Sequence, residues 1–242
     1  MKYRVYTNKE NSHTFRLEYG LQYCISDAII LYLNCIVITE RLRLWVRVSQ
    51  NREPSPSEAI MDSQSVETAT MVSKDVGYDS GKKIKGRKRH ILVDTLGLLI
   101  VVVITAADVS EQAGAKQVLS KLHQLRDRMG RLIRIWVDGG YRGKDFTHWF
   151  MDVYRWLWSV VTRHEEQKGF VVLPKRWLVE RTFGWFNWCR RLSKDYEILP
   201  ETTEAFRGCS YDSFNVEAIG VIKITFSKLF RHPLKTSIIE LF

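Results

Sequence analysis

The chain has 242 residues, 45% of them hydrophobic and 12% aromatic, which excludes disorder and leaves room for one substantial domain with a core plus appendages. Its 37 lysines and arginines exceed its 27 acids, and the formal net charge of +10 favours an anionic partner, nucleic acid or a membrane surface. The longest apolar runs, at 28–38 and 96–107, fall short of the roughly 20 residues that cross a bilayer. With no signal-peptide stretch at the start, a cytoplasmic protein without a membrane partner is expected. Cys24, Cys35, Cys189 and Cys209 lie far apart with no C-x-x-C pair, so they read as reduced thiols.

Residues 1–50 form a divergent N-terminal segment, and "TERLRLWVRVSQ" within it reads as a basic amphipathic helix. "NREPSPSEA" holds two prolines and two serines and cannot continue a helix, so residues 51–58 read as a linker. An ordered domain is expected over 59–200 and a divergent tail over 201–242.

In that domain "AIMDSQSV" reads as a short strand. "KRHILVDT" and "LLIVVVITA" flank a Leu-Gly turn and read as an antiparallel hairpin. A helix follows from Ser110, a plausible N-cap, with Val118, Leu119, Leu122 and Leu125 on its apolar face. "IRIWVD" is the fourth strand, "KDFTHWFMDVY" a short helix and "LWSVVTR" the fifth strand. A further β-like run, "GFVVLP", leads into a helix over Lys175 to Tyr196. Alternation of the later strands with helices implies an α/β fold, a mixed five-stranded sheet covered on both faces.

Asp138 ends a strand and is followed by two glycines. Such an acid either makes a turn or stands at the strand end where open α/β sheets place ligand and metal sites. On the last helix Leu178, Thr182, Trp185, Cys189 and Leu192 make a packing face, widened by Val179, Phe183 and Phe186. A polar stripe of Arg176, Glu180, Gly184, Asn187, Arg191 and Lys194 runs beside it. If the first and fourth strands are adjacent and parallel, Asp62 and Asp138 lie side by side and the helix brings Glu180 toward them. Three carboxylates so close need cations or protons. A pair of divalent ions would answer that and serve phosphoryl transfer, and Mg²⁺ suits an all-carboxylate set. Each acid alone also has an ordinary reading: Glu180 as an ion-pair partner of Arg176 or Arg181, Asp62 as a turn former. Asp94, Asp108, Asp145 and Asp195 are assigned structural roles, as are His90 and His164.

The motifs "IMDSQSV", "GYDSGKKIKGRKRHILVDTLGLLIVVV", "WVDGGYRGK", "KGFVVLPKRWLVERTFGWF" and "RRLSKDYEILPETTEA", spread over Leu42 to Ala205, resemble the catalytic region of bacterial insertion-sequence transposases of the DDE class, insertion sequence five group. The resemblance implies an RNase H-like fold. It also implies a catalytic and metal-binding triad of Asp62, Asp138 and Glu180 working with Mg²⁺, for which Mn²⁺ can substitute. The implied activity is cleavage and strand transfer at terminal inverted repeats, with double-stranded DNA as partner and a homodimer on paired ends, in the nucleoid. Arg176 fits the arginine that commonly precedes the glutamate in related transposases. Glu67 and Trp188 depart from the pattern, standing where basic residues are common. The unfamiliar ends leave a second expectation open: a truncated or frameshifted remnant that binds DNA without cutting it. A structure-specific nuclease of the same fold is a third.

The basic run 82–90 reads equally as a phosphate grip and as a solvated hairpin rim. Lys82, Lys83, Lys85, Arg87, Lys88 and Arg89 are its candidate DNA contacts, joined by Arg176, Arg190, Arg191 and Lys194. Eight tryptophans suggest base stacking, although Trp185 lies on the packing face and most of the others should fill core.

Overall fold

Residues 39–161 and 175–205 are described by the computed structural model. The basic amphipathic piece is helical as expected: α1 covers residues 39–49 and buries Val46. Its Arg47 forms an interior ion pair with Asp94 at 2.6 Å and donates from Nε to the Glu53 carbonyl at 2.7 Å, so the helix and the loop after it are held against the sheet.

Strand β1 spans Glu58–Glu67, β2 Gly77–Asp79, β3 Ile84–Asp94 and β4 Leu99–Ala106. The β3–β4 hairpin turns where Asp94 accepts the amides of Leu96 and Leu98 at 2.8 and 2.9 Å and Gly97 takes a φ of 82°, a conformation that favours glycine. Helix α2 covers Glu111–Gln124, and the hydroxyl of Ser110 caps it by accepting the Ala113 amide. Strand β5 is Arg134–Val137, α3 Lys144–Tyr154 and β6 Leu157–Val160. After the undescribed stretch come α4, Arg176–Trp188, and the short α5, Arg190–Ser193.

The strands form one mixed sheet in the order β2-β3-β1-β5-β6, with β4 also paired to β3. β1 runs parallel to β5 and β5 parallel to β6, whereas β3 is antiparallel to β1, β2 and β4. The five expected strands are present, in the mixed α/β arrangement that the RNase H-like resemblance implied. The sixth, β2, is three residues long and continues the β4 edge of β3, pairing Gly77 with Gly86. A Cβ on Gly86 would stand 1.9 Å from the Val66 carbonyl oxygen, so only glycine allows β1 and β3 to meet there.

Each face of the sheet has its own core. On one, Met61, Leu92, Val103 and Ile135 pack against Val118, Leu119 and Leu122 of α2 and Phe150 of α3. On the other, Ile60, Ile91, Val93 and Leu99 pack against Leu178, Val179, Phe183 and Phe186 of α4. Two expectations need amendment or stand aside. The helix over Lys175 to Tyr196 is broken at Cys189, which is extended (φ −82°, ψ 111°) and separates α4 from α5. The run "GFVVLP" and His164 lie outside the described residues.

Candidate active site

The parallel register of β1 and β5 brings two of the acids together. Glu58, Ala59 and Ile60 pair with Arg134, Ile135 and Trp136, so two residues further on Asp62 and Asp138 are opposite each other. Side chains alternate across a strand, and Ile60 and Trp136 belong to the core beneath α4, so both acids two positions on project to the α4 side. With Ile60, Trp136, Val161 and Arg176 they line a small cleft.

The glycines after Asp138 also have a local purpose. The Asp138 carboxylate accepts the Gly140 amide at 2.9 Å and caps a single 3₁₀ turn, Gly139–Tyr141. A Cβ on Gly140 would come within 3.2 Å of that carboxylate oxygen. The turn reading and the site reading of Asp138 are therefore compatible. Asp62 is half-buried and accepts the Ser63 amide at 2.7 Å. Burial first, then the charge of Asp138, pushes its pKa up to about 7; the Ser63 amide, Arg176 and Lys82 act in the opposite direction.

Glu180 lies on α4 with its side chain 53% exposed, and Arg176 one turn earlier stands between it and the strand acids. The Arg176 guanidinium is 3.3 Å from Glu180 and 3.7 Å from Asp138. All three acids are thus on one side of the sheet, linked through a cation. Among the described residues no three acidic, histidine or cysteine side chains converge closely enough to enclose an ion. The donor set nevertheless fits a hard cation: carboxylates only, one of them disfavoured as an anion by its carboxylate neighbour. The arginine already supplies a positive charge at that place.

Tyr141, three residues after Asp138, went unnoticed in the sequence. It is wholly buried with its hydroxyl beside Ser63, and burial and then the Asp62 charge hold its ionisation well above the ordinary range. Its spacing from Asp138 was the only available signal, and a tyrosine at that distance has no special chemistry until the turn is known.

The basic residues divide in two. Lys82, Lys83 and Lys85 are exposed on the β2–β3 turn, and Lys82 is near enough to Asp62 to favour its charged form. Arg190 and Arg191 are exposed at α5, where Arg191 pairs with Glu197 at 2.9 Å, and Lys194 pairs with Glu67 at 3.3 Å. Arg87, Lys88 and Arg89 are interior, which corrects their selection as DNA contacts. Arg87 donates to the carbonyls of Lys74, Glu197 and Ile198 and pairs with Asp195; Arg89 donates to the Leu192 carbonyl and lies over the Phe186 ring; Lys88 donates to the Val109 carbonyl and Glu111. His90 is buried with Nε2 3.0 Å from the Thr105 hydroxyl, and Asp94 and Asp195 are interior ion-pair partners, all structural as expected.

The model of the family "Transposase DDE domain" matches residues 53–209. This chain belongs to that family. Its members generally use divalent metal ions. A curated relative, the putative transposase for insertion sequence element IS402 of Burkholderia cepacia, is 25% identical over 136 residues, 54% of this chain and 64% of the relative. The chain thus matches less than two thirds of that relative's length. Among solved structures, the piggyBac transposase synaptic complex with hairpin DNA is similar with a TM-score of 0.42 and 10% identity, over 69% of this DDE chain and 49% of the other. The Mos1 strand transfer complex gives a TM-score of 0.28 and 12% identity over 92% and 67%. Among the described residues of the DDE chain, no helix is long and apolar enough to cross a membrane.

Proposed function

We propose that this chain is the transposase of an insertion sequence of the insertion sequence five group, cutting DNA at the element's terminal inverted repeats and joining the released 3′ ends to target DNA. The observation that carries this reading is the placement of Asp62 and Asp138 side by side on parallel strands, with Glu180 on the helix that covers the same face.

Asp62, Asp138 and Glu180 are the residues that would hold Mg²⁺, or Mn²⁺ in its place. When bound, divalent ions supply charge neutralisation and electrophilic assistance at the scissile phosphate. The chain's own groups have separate tasks. With a pKa of about 7, Asp62 keeps a proton on much of the population at neutral pH and gives it up as a cation approaches. Arg176 offers a planar guanidinium suited to a phosphate oxygen pair once it leaves the acids. Lys82, Lys83, Lys85, Arg190, Arg191 and Lys194 would position the DNA backbone rather than read its sequence. A catalytic domain over 59–200, a linker over 51–58 and appendages at both ends complete the proposed organisation. The partners are double-stranded DNA and, when two ends are paired, a second copy of the chain, in the nucleoid.

The test is nicking of supercoiled plasmid by the purified protein with Mg²⁺, Mn²⁺ or chelator, beside Asp138→Asn prepared identically. Cleavage that requires metal and disappears in the variant is the expected result. Equal metal-dependent cleavage by both proteins would refute the assignment of Asp138. Binding of DNA by folded protein, without cleavage under any metal, would favour the silent remnant instead.

A further inference from the structure

Helix α4 has an outer strip that neither the acids nor the core use. Trp188 is 80% exposed and Trp177 is 44% exposed. At about 100° per residue, Trp177, Gly184 and Trp188 fall in one narrow strip, directly beside that of Glu180. Arg181 braces the first ring: its guanidinium lies 4.8 Å from the Trp177 ring and 4.6 Å from that of Trp185, and it donates to the Leu96 carbonyl at 2.7 Å. Between the two exposed rings, a Cβ on Gly184 would meet nothing within 4 Å, so the strip stays open.

Single exposed apolar residues are ordinary, but two tryptophans on the strip next to a candidate catalytic glutamate are not scatter. From the helical rise, Glu180 is roughly 4.5 Å along the axis beyond Trp177 and roughly 12 Å before Trp188. The rings are too far apart to clamp one base and instead flank the glutamate. Exposed cations continue the same track, with Arg176 before the strip and Arg190 and Arg191 after it. Flat aromatic rings interleaved with cations fit a single nucleic-acid strand, whose bases offer their faces only when unstacked from a duplex.

We propose that the outer face of α4 is a stacking platform for unpaired DNA bases on either side of the scissile phosphate, with Trp177 and Trp188 as its two contact points. The inference rests on the cleavage reading above and deepens it: the strand lies open where it meets Glu180.

Binding is measured by fluorescence anisotropy with the full chain and two probes, a fully paired duplex and the same duplex with a short unpaired stretch at its centre. The wild type is expected to prefer the unpaired probe by roughly tenfold, within the range set by one or two base–aromatic stacks. Trp177→Ala and Trp188→Ala should each lose most of that preference while binding the paired duplex as before, and Trp188→Phe should retain it. Both positions are exposed, so folding is checked simply by comparing melting curves. A wild type that binds both probes equally, or alanine variants that keep the preference, would overturn the platform and leave the cleavage reading intact. Failure to bind either probe would remove the platform together with that reading.

Discussion

Arg176 occupies the position at which a cation is needed, 3.7 Å from Asp138 and 3.3 Å from Glu180. A guanidinium between two carboxylates relieves their repulsion in the resting protein and competes with any metal ion for the same oxygens. Arg176→Gln removes the competitor, so Mn²⁺ affinity measured by isothermal titration should rise several-fold while DNA affinity falls. A weaker Mn²⁺ site in the variant would mean that the arginine organises the acids rather than excluding metal from them. Asp62 allows a second test. Its folded-state pKa of about 7 lies above the ordinary 3.8, so the native state holds a proton that the unfolded chain has lost, and stability declines as pH rises from about 4 through 7. Asp62→Asn removes that penalty without changing the shape. Urea unfolding at pH 8 should find the variant more stable by about 1–3 kcal/mol, with little difference at pH 4. A variant less stable than wild type at pH 8 would show instead that the carboxylate is well compensated in the fold.

The strands β1, β3, β4, β5 and β6 and the helices α2 and α3 were legible because each carries its own period and its own stop signal, such as Ser110 before α2 and the Leu-Gly turn after Asp94. What the sequence left unread depends on contacts between elements. The break at Cys189 has no proline or glycine to announce it; it coincides with the donation from buried Arg89 to the Leu192 carbonyl and with the parallel bridge between Thr68 and Asp195. Arg87, Lys88 and Arg89 looked like surface because they are charged, and they are interior because β3 is flanked on both edges and tied to the segment after α5 through carbonyl acceptors. The same dependence applies to Gly114 within α2. A Cβ there would stand 2.0 Å from the His90 ring, so the helix approaches β3 only because this residue is glycine. Gly114→Ala, a favourable exchange in an isolated helix, should therefore destabilise the protein by about 1–3 kcal/mol in thermal or urea unfolding. A neutral or stabilising outcome would mean that α2 can shift away from the sheet at little cost.

For the molecule as a whole, the net charge of +10 pointed to an anionic partner, but it overstates the cations that a duplex can reach. Arg43, Arg47, Arg87, Lys88 and Arg89 are buried, and four of them hold carbonyls or carboxylates of the fold itself. The exposed lysines at 82, 83 and 85 and the arginines at 190 and 191 remain as candidates, placed on the β2–β3 turn and on α5. Each cation that neutralises a phosphate releases counterions, so the logarithm of the binding constant falls with the logarithm of salt by roughly 0.9 per contact. Lys82→Ala and Arg190→Ala should each weaken binding to any duplex and flatten that slope by about one unit. Lys88→Met serves as the contrast: it removes the same formal charge from an interior position, so the slope should be unchanged even where stability drops. Should Lys88→Met flatten the slope as much as Lys82→Ala does, the duplex would have to engage β3 itself, and the division between interior and surface cations would fail.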